Sequence, residues 1–129
     1  MKLRIKDNSF RFRITLSELE ELRAEGFVSC ESLASRQEKC FTYSVQHDPQ
    51  IKESCLQVQS FAMVLHLSSR DLDNLLKPEE EGVYLKSEWE GEDGSVCRAI
   101  TFIEKDRPSS HCDKPDSWIY EDSHKAFSQ

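Results

Sequence analysis

The chain opens with Met1-Lys-Leu-Arg-Ile-Lys6, continues through Asp7-Asn-Ser9 and resumes with Phe10-Arg-Phe-Arg-Ile-Thr-Leu16. The first and third segments alternate between apolar and cationic residues, which is the period of a β-strand. The Asx-rich segment between them has turn chemistry, so the pattern predicts a β-hairpin over residues 2–15. One face of this hairpin carries the apolar side chains Leu3, Ile5, Phe10, Phe12 and Ile14. The other carries five cations and is named the basic face: Lys2, Arg4, Lys6, Arg11 and Arg13.

The composition as a whole is that of an acidic globular protein. The 129 residues carry a net charge of -7, with 37% hydrophobic and 32% charged side chains. A chain of this size supports one domain with a single hydrophobic core. Its negative charge argues against nucleic acid as a partner, because general nucleic-acid binding needs a net basic surface.

Cysteine usage and hydropathy predict a cytoplasmic protein. The chain has five cysteines, an odd number without a CxxC pair, which is typical of free thiols in a reducing compartment. Charges recur at every second position of the N-terminal segment, a pattern unlike that of a secretory signal. No apolar run approaches the length of a membrane span, so no membrane partner is expected.

Capping signals mark two helices. Thr15-Leu-Ser-Glu18 is a capping box before a predicted helix over residues 16–25. A second helix follows Ser68 or Ser69 and ends before Pro78. Six further segments have strand patterns: residues 27–34, 40–46, 54–59, 62–67, 82–90 and 95–104.

In chain order these elements read ββαββ and then ββαββ, which predicts an α+β fold with two short helices. Eight antiparallel strands fit one highly curved sheet or an incomplete barrel. The repeated order indicates a duplication of architecture, although the residues themselves do not repeat. The domain is predicted over residues 1–106. Residues 107–129 lack either hydrophobic period and are predicted to form an irregular C-terminal tail, for which the docking candidates are Trp118, Ile119 and Phe127.

The first eighteen residues resemble the opening of a family of short bacterial proteins of unknown function. Members start M-K-[IL]-R-I-K-x-N-[ST]-x-R-[FL]-R and continue into a capped helix. Phe41-Thr-Tyr43 and Ile103-Glu-Lys-Asp106 are also similar to segments of that family. The resemblance covers residues 1–106 in the order of elements, and it implies a bacterial origin and a shared fold. The family has no assigned activity, so the resemblance implies no reaction.

The basic face has two interpretations. As a site, it binds phosphate or carboxylate, with the arginines donating bidentate hydrogen bonds. As a structural feature, it is a solvated strand face whose cations discourage edge pairing and meet acidic neighbours across the strands. Runs of charge are most often solvated surface. Anion binding by the basic face is therefore a hypothesis that depends on what surrounds it.

The tail contains the candidates for a metal site, His111, Cys112 and His124. Their spacing lacks the paired short spacers that let four ligands converge, so no metal is predicted. No cofactor is predicted, because the sequence has no Gly-rich phosphate loop and no H-E-x-x-H motif. No catalytic residue is assigned.

These observations favour a small binding or interaction module over an enzyme, with a protein or a small anionic ligand as the unknown partner. The alternative is a phosphate-ester or phosphoanhydride hydrolase whose basic face points into a barrel, as in triphosphate tunnel proteins. Their E-x-E-x-K motif is absent, because Lys2-Leu-Arg-Ile-Lys6 has cations where that motif has glutamates. Inward-facing Arg4, Arg11 and Arg13 would favour the hydrolase, and solvent-facing arginines would favour the module.

Overall fold

A computed structural model describes residues 1–33 and 40–107 of the chain, except for the side chain of Cys40. Within these residues there are eight strands and two helices. The strands are β1 (Lys2–Lys6), β2 (Ser9–Thr15), β3 (Phe27–Leu33), β4 (Cys40–His47), β5 (Cys55–Gln59), β6 (Ala62–Leu67), β7 (Gly82–Glu90) and β8 (Val96–Asp106). The helices are α1 (Leu16–Glu25) and α2 (Ser69–Leu76). The predicted element order and the α+β class are confirmed.

The strands form two four-stranded sheets. The first sheet has the order β1-β2-β8-β7 and the second has the order β3-β4-β6-β5. Each sheet consists of two antiparallel pairs whose second strands lie side by side in parallel, β2 with β8 and β4 with β6. The sheets are therefore mixed, where the sequence predicted antiparallel pairing throughout. Apolar–polar alternation defines the faces of a strand but not the direction of its neighbour, which explains this difference.

The two halves of the chain share one arrangement. Each half runs β-β-α-β-β and gives its first strand pair to one sheet and its second pair to the other. A constant shift along the sequence takes Phe12 onto Leu65, both fully buried, and Thr15 onto Ser68, both helix N-caps. The duplication indicated by the element order is thus present in three dimensions, with the two halves interlocked.

The helix caps repeat together with the strands. Thr15 N-caps α1, and the backbone N–H of Glu18 donates to Thr15 Oγ1 at 3.1 Å while the Thr15 N–H donates to Glu18 Oε1 at 3.0 Å. The Met1 amino group donates to Glu18 Oε2 at 2.5 Å. At the start of α2, Asp71 occupies the position equivalent to Glu18, and its Oδ2 accepts a 2.5 Å hydrogen bond from Ser54 Oγ. Each half therefore uses a carboxylate in the first helical turn to hold the residue that precedes its first strand.

One hydrophobic core joins both sheets and both helices. Phe12 and Ile14 are fully buried in it, which confirms the predicted inner face of β2. Phe10, at the edge of the core, is partly buried and packs against it. The buried apolar residues are Phe12, Ile14, Leu19, Leu22, Val28, Val45, Met63, Leu65, Leu67, Leu72, Leu75, Val83 and Ile103.

The predicted C-terminal tail enters the described structure only through Arg107. Its Nε lies 3.2 Å from Glu81 Oε2, and its Nη2 donates to the carbonyl of Pro78 at 2.9 Å. The three docking candidates of the tail lie outside the described residues. Neither α1 nor α2 is long and apolar enough to cross a membrane.

The variant Phe12→Ala should lower the free energy of unfolding by about 3–5 kcal/mol, because it leaves a cavity in the core. The matched control is Phe27→Ala, whose ring is 56% exposed on the second sheet. Its loss should stay below about 1 kcal/mol. Urea denaturation followed by circular dichroism measures both. Equal midpoints for the two variants would contradict the burial of Phe12.

The stability of the fold should depend on pH through Glu18. Burial raises the pKa of Glu18, but the hydrogen bonds from the Met1 amino group and from Thr15 outweigh burial and hold that pKa below its ordinary value of 4.5. A carboxylate of this kind stabilises the fold above its unfolded-state pKa, and the contribution disappears as the pH falls through its folded-state pKa. Glu18→Gln should therefore cost about 1 kcal/mol at neutral pH.

In urea titrations, the difference between Glu18→Gln and the wild type should shrink in acid, because protonation makes the two side chains alike in charge. Glu21→Gln, an exposed change on the same helix, is the control and should leave the pH profile unchanged. If the two proteins differed in free energy of unfolding by the same amount at every pH, the loss in Glu18→Gln would come from packing rather than from charge.

Candidate functional site

The basic face lies on the outer surface of the first sheet. In β2, Arg11 and Arg13 alternate with buried core residues and project to the opposite side. The register of β1 with β2 places Arg4 opposite Arg11, Lys2 opposite Arg13, and Lys6 opposite the hydroxyl residue that begins β2. The structure thus brings together all five predicted residues. Like charges directly opposite each other destabilise a strand pair, so this surface is unfavourable without counter-charges.

Carboxylates of β8 supply counter-charges at one end of the basic face. Asp106 lies between two cations, with Oδ2 2.8 Å from Lys2 Nζ and Oδ1 3.6 Å from Arg13 Nη2. Glu104 Oε1 is 3.5 Å from Arg11 Nε. At this end, the basic face is a strand surface whose cations are paired with carboxylates of the neighbouring strand.

The other end of the basic face forms a depression of about 260 Å³. It is lined by Arg4, Lys6, Ser9 and Arg11, which are three cations and one hydroxyl. Arg4, Lys6 and Arg11 are exposed. Guanidinium, ammonium and hydroxyl groups are the donors that proteins use to hold phosphate. The depression is therefore chemically suited to an oxyanion.

An aromatic pair continues the same row of side chains beyond Arg11. Strand register places Arg11 beside Phe102 and Phe102 beside Tyr84. The Arg11 guanidinium carbon is 5.1 Å from the centroid of the Phe102 ring, within the range of a cation–π contact. The Tyr84 ring meets Phe102 edge-on, at a centroid distance of 5.4 Å and an interplanar angle of 82°. Phe102 thereby joins the cations to Tyr84, which is 60% exposed.

Sequence reasoning did not single out Glu104, Asp106, Phe102 or Tyr84. Three of these four residues lie on β8, where the intervening Ile103 and Lys105 are buried and the three therefore share the outer face. Because Lys105 is charged and Phe102 is apolar, apolar–polar alternation did not indicate this face. Nothing in the sequence pattern indicates that β8 lies beside β2. The sequence therefore predicted the basic face of the β1–β2 hairpin but not the strand that lies beside it.

The orientation of the arginines removes the basis of the barrel hydrolase. Arg4 and Arg11 are exposed on the outer side of an open sheet, and Arg13 is partly covered beside Asp106. Within residues 1–33 and 40–107, the two sheets do not close into a barrel. The prediction of an inward-facing basic face, on which the hydrolase alternative depends, is therefore wrong.

The second sheet provides an internal comparison for the basic face. Its β5–β6 pair has the register of β1–β2, and its strand order is the same. No position equivalent to the basic face carries a lysine or arginine there. The architecture forms without these cations, so it does not require them. The equivalent residues are Cys55, Gln57, Gln59, Val64 and His66.

A second polar cluster lies at the start of α2, beside a depression of about 270 Å³. Ser54 Oγ donates to Asp71 Oδ2 and accepts from the Ser68 N–H at 2.8 Å. Ser68 Oγ in turn accepts from the backbone N–H of Asp71 at 3.2 Å. Because Glu18 and the Met1 amino group hold the equivalent positions at α1, this cluster is a helix cap rather than a catalytic serine.

The metal hypothesis concerns His111, Cys112 and His124, which all lie outside the described residues. Within the described part of the chain, no group of three or more His, Cys, Asp or Glu side chains is arranged to hold a metal ion. The cysteines identified there as free thiols are Cys30, Cys55 and Cys97.

The fold and this surface define a two-sheet α+β protein with a basic outer face. The chain belongs to DUF7009, a family of unknown function whose model matches residues 1–127. The predicted membership of a family of unknown function is confirmed. No curated protein and no solved structure matches the chain.

The variant Asp106→Asn should lower stability by about 1 kcal/mol at low ionic strength, because Lys2 and Arg13 lose their shared counter-charge. Added salt screens the repulsion between these cations, so the difference from the wild type should shrink. Glu92→Gln, an exposed change in the turn between β7 and β8, is the charge-matched control. Urea midpoints at low and high ionic strength test this. A loss that does not respond to salt would mean that Asp106 acts through packing.

Proposed function

We propose that the outer face of the first sheet binds a small phosphate-bearing anion. The observation that carries this proposal is the depression lined by Arg4, Lys6, Ser9 and Arg11, in a protein whose net charge is -7. The second sheet forms the same architecture without lysine or arginine at the equivalent positions. The fold therefore does not require the cations of the first sheet, which are available for binding at the surface.

The lining residues supply complementary contacts to a phosphate group. Arg4 and Arg11 face each other across the β1–β2 pair, so both planar guanidinium groups can donate to one oxyanion. Lys6 adds a compact charge, and Ser9 adds a hydroxyl that can donate. A bound dianion adds negative charge beside Arg4, Lys6 and Arg11, which line one depression. Ligand binding should therefore stabilise the folded state as well.

The affinity of such a site is limited by its exposure. A single solvent-exposed ion pair contributes about 1 kcal/mol or less. Three ion pairs and one hydroxyl contact of about 1 kcal/mol each together correspond to a Kd on the order of 1 mM at the tightest. Because exposed charges are screened, the affinity should fall as salt is added.

Binding fits this surface better than catalysis. General acid–base catalysis most often uses an imidazole or a carboxylate held within hydrogen-bond reach of the reacting group. The carboxylates of β8 on this face, Glu104 and Asp106, already neutralise Lys2, Arg11 and Arg13. We therefore infer a binding module rather than an enzyme.

We also infer a bacterial, cytoplasmic protein whose partner is a small anion or a protein rather than nucleic acid or a membrane. The free thiols of Cys30, Cys55 and Cys97 support a reducing compartment, and the opening residues support the bacterial origin. The division into a domain of residues 1–106 and a C-terminal tail of residues 107–129 also stays a proposal. It is supported by the single core that joins elements from β2 to β8.

Pyrophosphate should bind the wild-type protein with a Kd on the order of 1 mM at low ionic strength and more weakly as salt is added. The double variant Arg4→Gln/Arg11→Gln should abolish binding without unfolding the protein, because both side chains are exposed. Titration followed by amide chemical shifts measures the affinity and shows whether β1 and β2 respond.

The matched control for this titration is Arg23→Gln/Lys77→Gln, which removes the same charge from exposed positions on α1 and at the C-cap of α2. It should bind as the wild type does. An equal loss in the control would attribute binding to net charge and contradict the site. Hydrolysis of pyrophosphate that needs Arg4, Arg11 and a divalent ion would replace binding with an enzymatic function.

A further inference from the structure

We infer that the bound anion also carries a planar aromatic ring that stacks on Tyr84, which makes the ligand a nucleoside phosphate. This ligand class rests on the proposed anion site and extends it across the sheet. The observation behind it is the uninterrupted row formed by Arg4, Arg11, Phe102 and Tyr84, one residue from each strand of the first sheet.

The dimensions of this row suit a nucleotide. Neighbouring strands lie about 4.8 Å apart, so Tyr84 on β7 is about 10 Å from Arg11 on β2. A ligand whose phosphate occupies the depression can therefore place a base over the far end of the row. The sugar would lie above Phe102, where the Arg11 guanidinium already covers the ring.

Phe102 supports Tyr84 rather than competing for the ligand. One contact of the Phe102 ring is the Arg11 guanidinium, and another is the edge-on Tyr84 ring. Tyr84 is held by this contact and is still 60% exposed. A side chain that is held in place loses little entropy when a base stacks on it, which favours binding.

The surroundings of Tyr84 leave room for a base. Tyr84 and Lys86 border the depression of about 270 Å³ at the start of α2. The exposed Glu53 also lines it, and its carboxylate is an acceptor for amino groups of the kind that adenine carries. The two depressions therefore lie at opposite ends of one row, cationic at β1–β2 and mixed at β7.

The second sheet again shows that the fold does not require these side chains. The register pair equivalent to Tyr84 and Phe102 is Ser29 and Ser44. Two exposed or partly exposed rings thus replace two serines, on the same face that concentrates the cations. Aromatic rings beside cations are the combination that binds nucleotides through stacking and charge together.

A phosphate group joined to a planar base occurs both in a free nucleotide and in a single-stranded nucleic acid. The net charge of -7 opposes a long polyanion, whereas a mononucleotide contacts only the row itself. The carboxylates of Glu88 and Glu90 lie further along β7 on the same face. We therefore expect a mononucleotide, rather than a nucleic acid, to be the ligand of this row.

The test compares inorganic phosphate, adenosine 5′-monophosphate and single-stranded oligoadenylate by calorimetry at one low ionic strength. The nucleotide should bind about tenfold more tightly than phosphate, as expected for one stacked base. Tyr84→Ala should reduce nucleotide affinity to that of phosphate and leave phosphate affinity unchanged, whereas Tyr84→Phe should retain the advantage. Phe27→Ala removes an exposed ring from the second sheet and should behave as the wild type.

The outcomes separate the ligand class from the anion site. Equal affinities for phosphate and nucleotide, or a nucleotide affinity that ignores Tyr84→Ala, would overturn the stacking while leaving the anion site in place. No binding of either ligand would overturn both. Oligoadenylate that binds far more tightly than the mononucleotide, with the same dependence on Tyr84, would support the stacking and identify nucleic acid as its source.

Discussion

The parallel pairing of β2 with β8 joins the first half of the chain to the second within the first sheet. It places Phe12 beside Ile103 on the buried side, where both are fully inaccessible to solvent. On the outer side, the same register places Arg11 beside Phe102 and Arg13 beside Glu104. One backbone contact therefore builds the core and the candidate site together. Any slip of this pairing by one residue would exchange the two faces and destroy both.

Local patterns in the sequence predicted the elements but not their partners. The double alternation of residues 2–15 gave the hairpin and its two faces, and the T-x-x-E signal gave the start of α1. The five residues of the basic face lie together because they come from adjacent strands of one hairpin. Phe102, Tyr84 and the carboxylates of β8 were missed because they reach the basic face only through long-range pairing, which alternation does not encode. The mixed sheets were not predicted for the same reason, because alternation does not give the direction of a neighbouring strand.

The duplicated architecture separates what folding requires from what the surface adds. Between the two sheets, buried positions keep their apolar character, as in Phe12 and Leu65, and the helix caps keep their hydroxyls, as in Thr15 and Ser68. Outer positions do not: Arg4 corresponds to Gln57, and Tyr84 corresponds to Ser29. Function is best sought in residues that differ between equivalent places in one fold. At the positions that differ here, the charged and aromatic side chains lie on the first sheet.

The interlocked halves also determine how the chain acquires its structure. A half-chain ending after β4 would leave the inner edges of β2 and β4 unpaired, since their neighbours β8 and β6 belong to the other half. Neither repeat is thus a self-sufficient folding unit, and each sheet is completed only when both repeats are present. The β2–β8 contact closes nearly the whole length of the described chain, which predicts slow folding through a high contact order. Two copies of one half could satisfy both edges by exchanging strand pairs, so the intact chain has the geometry of a strand-swapped dimer within a single polypeptide.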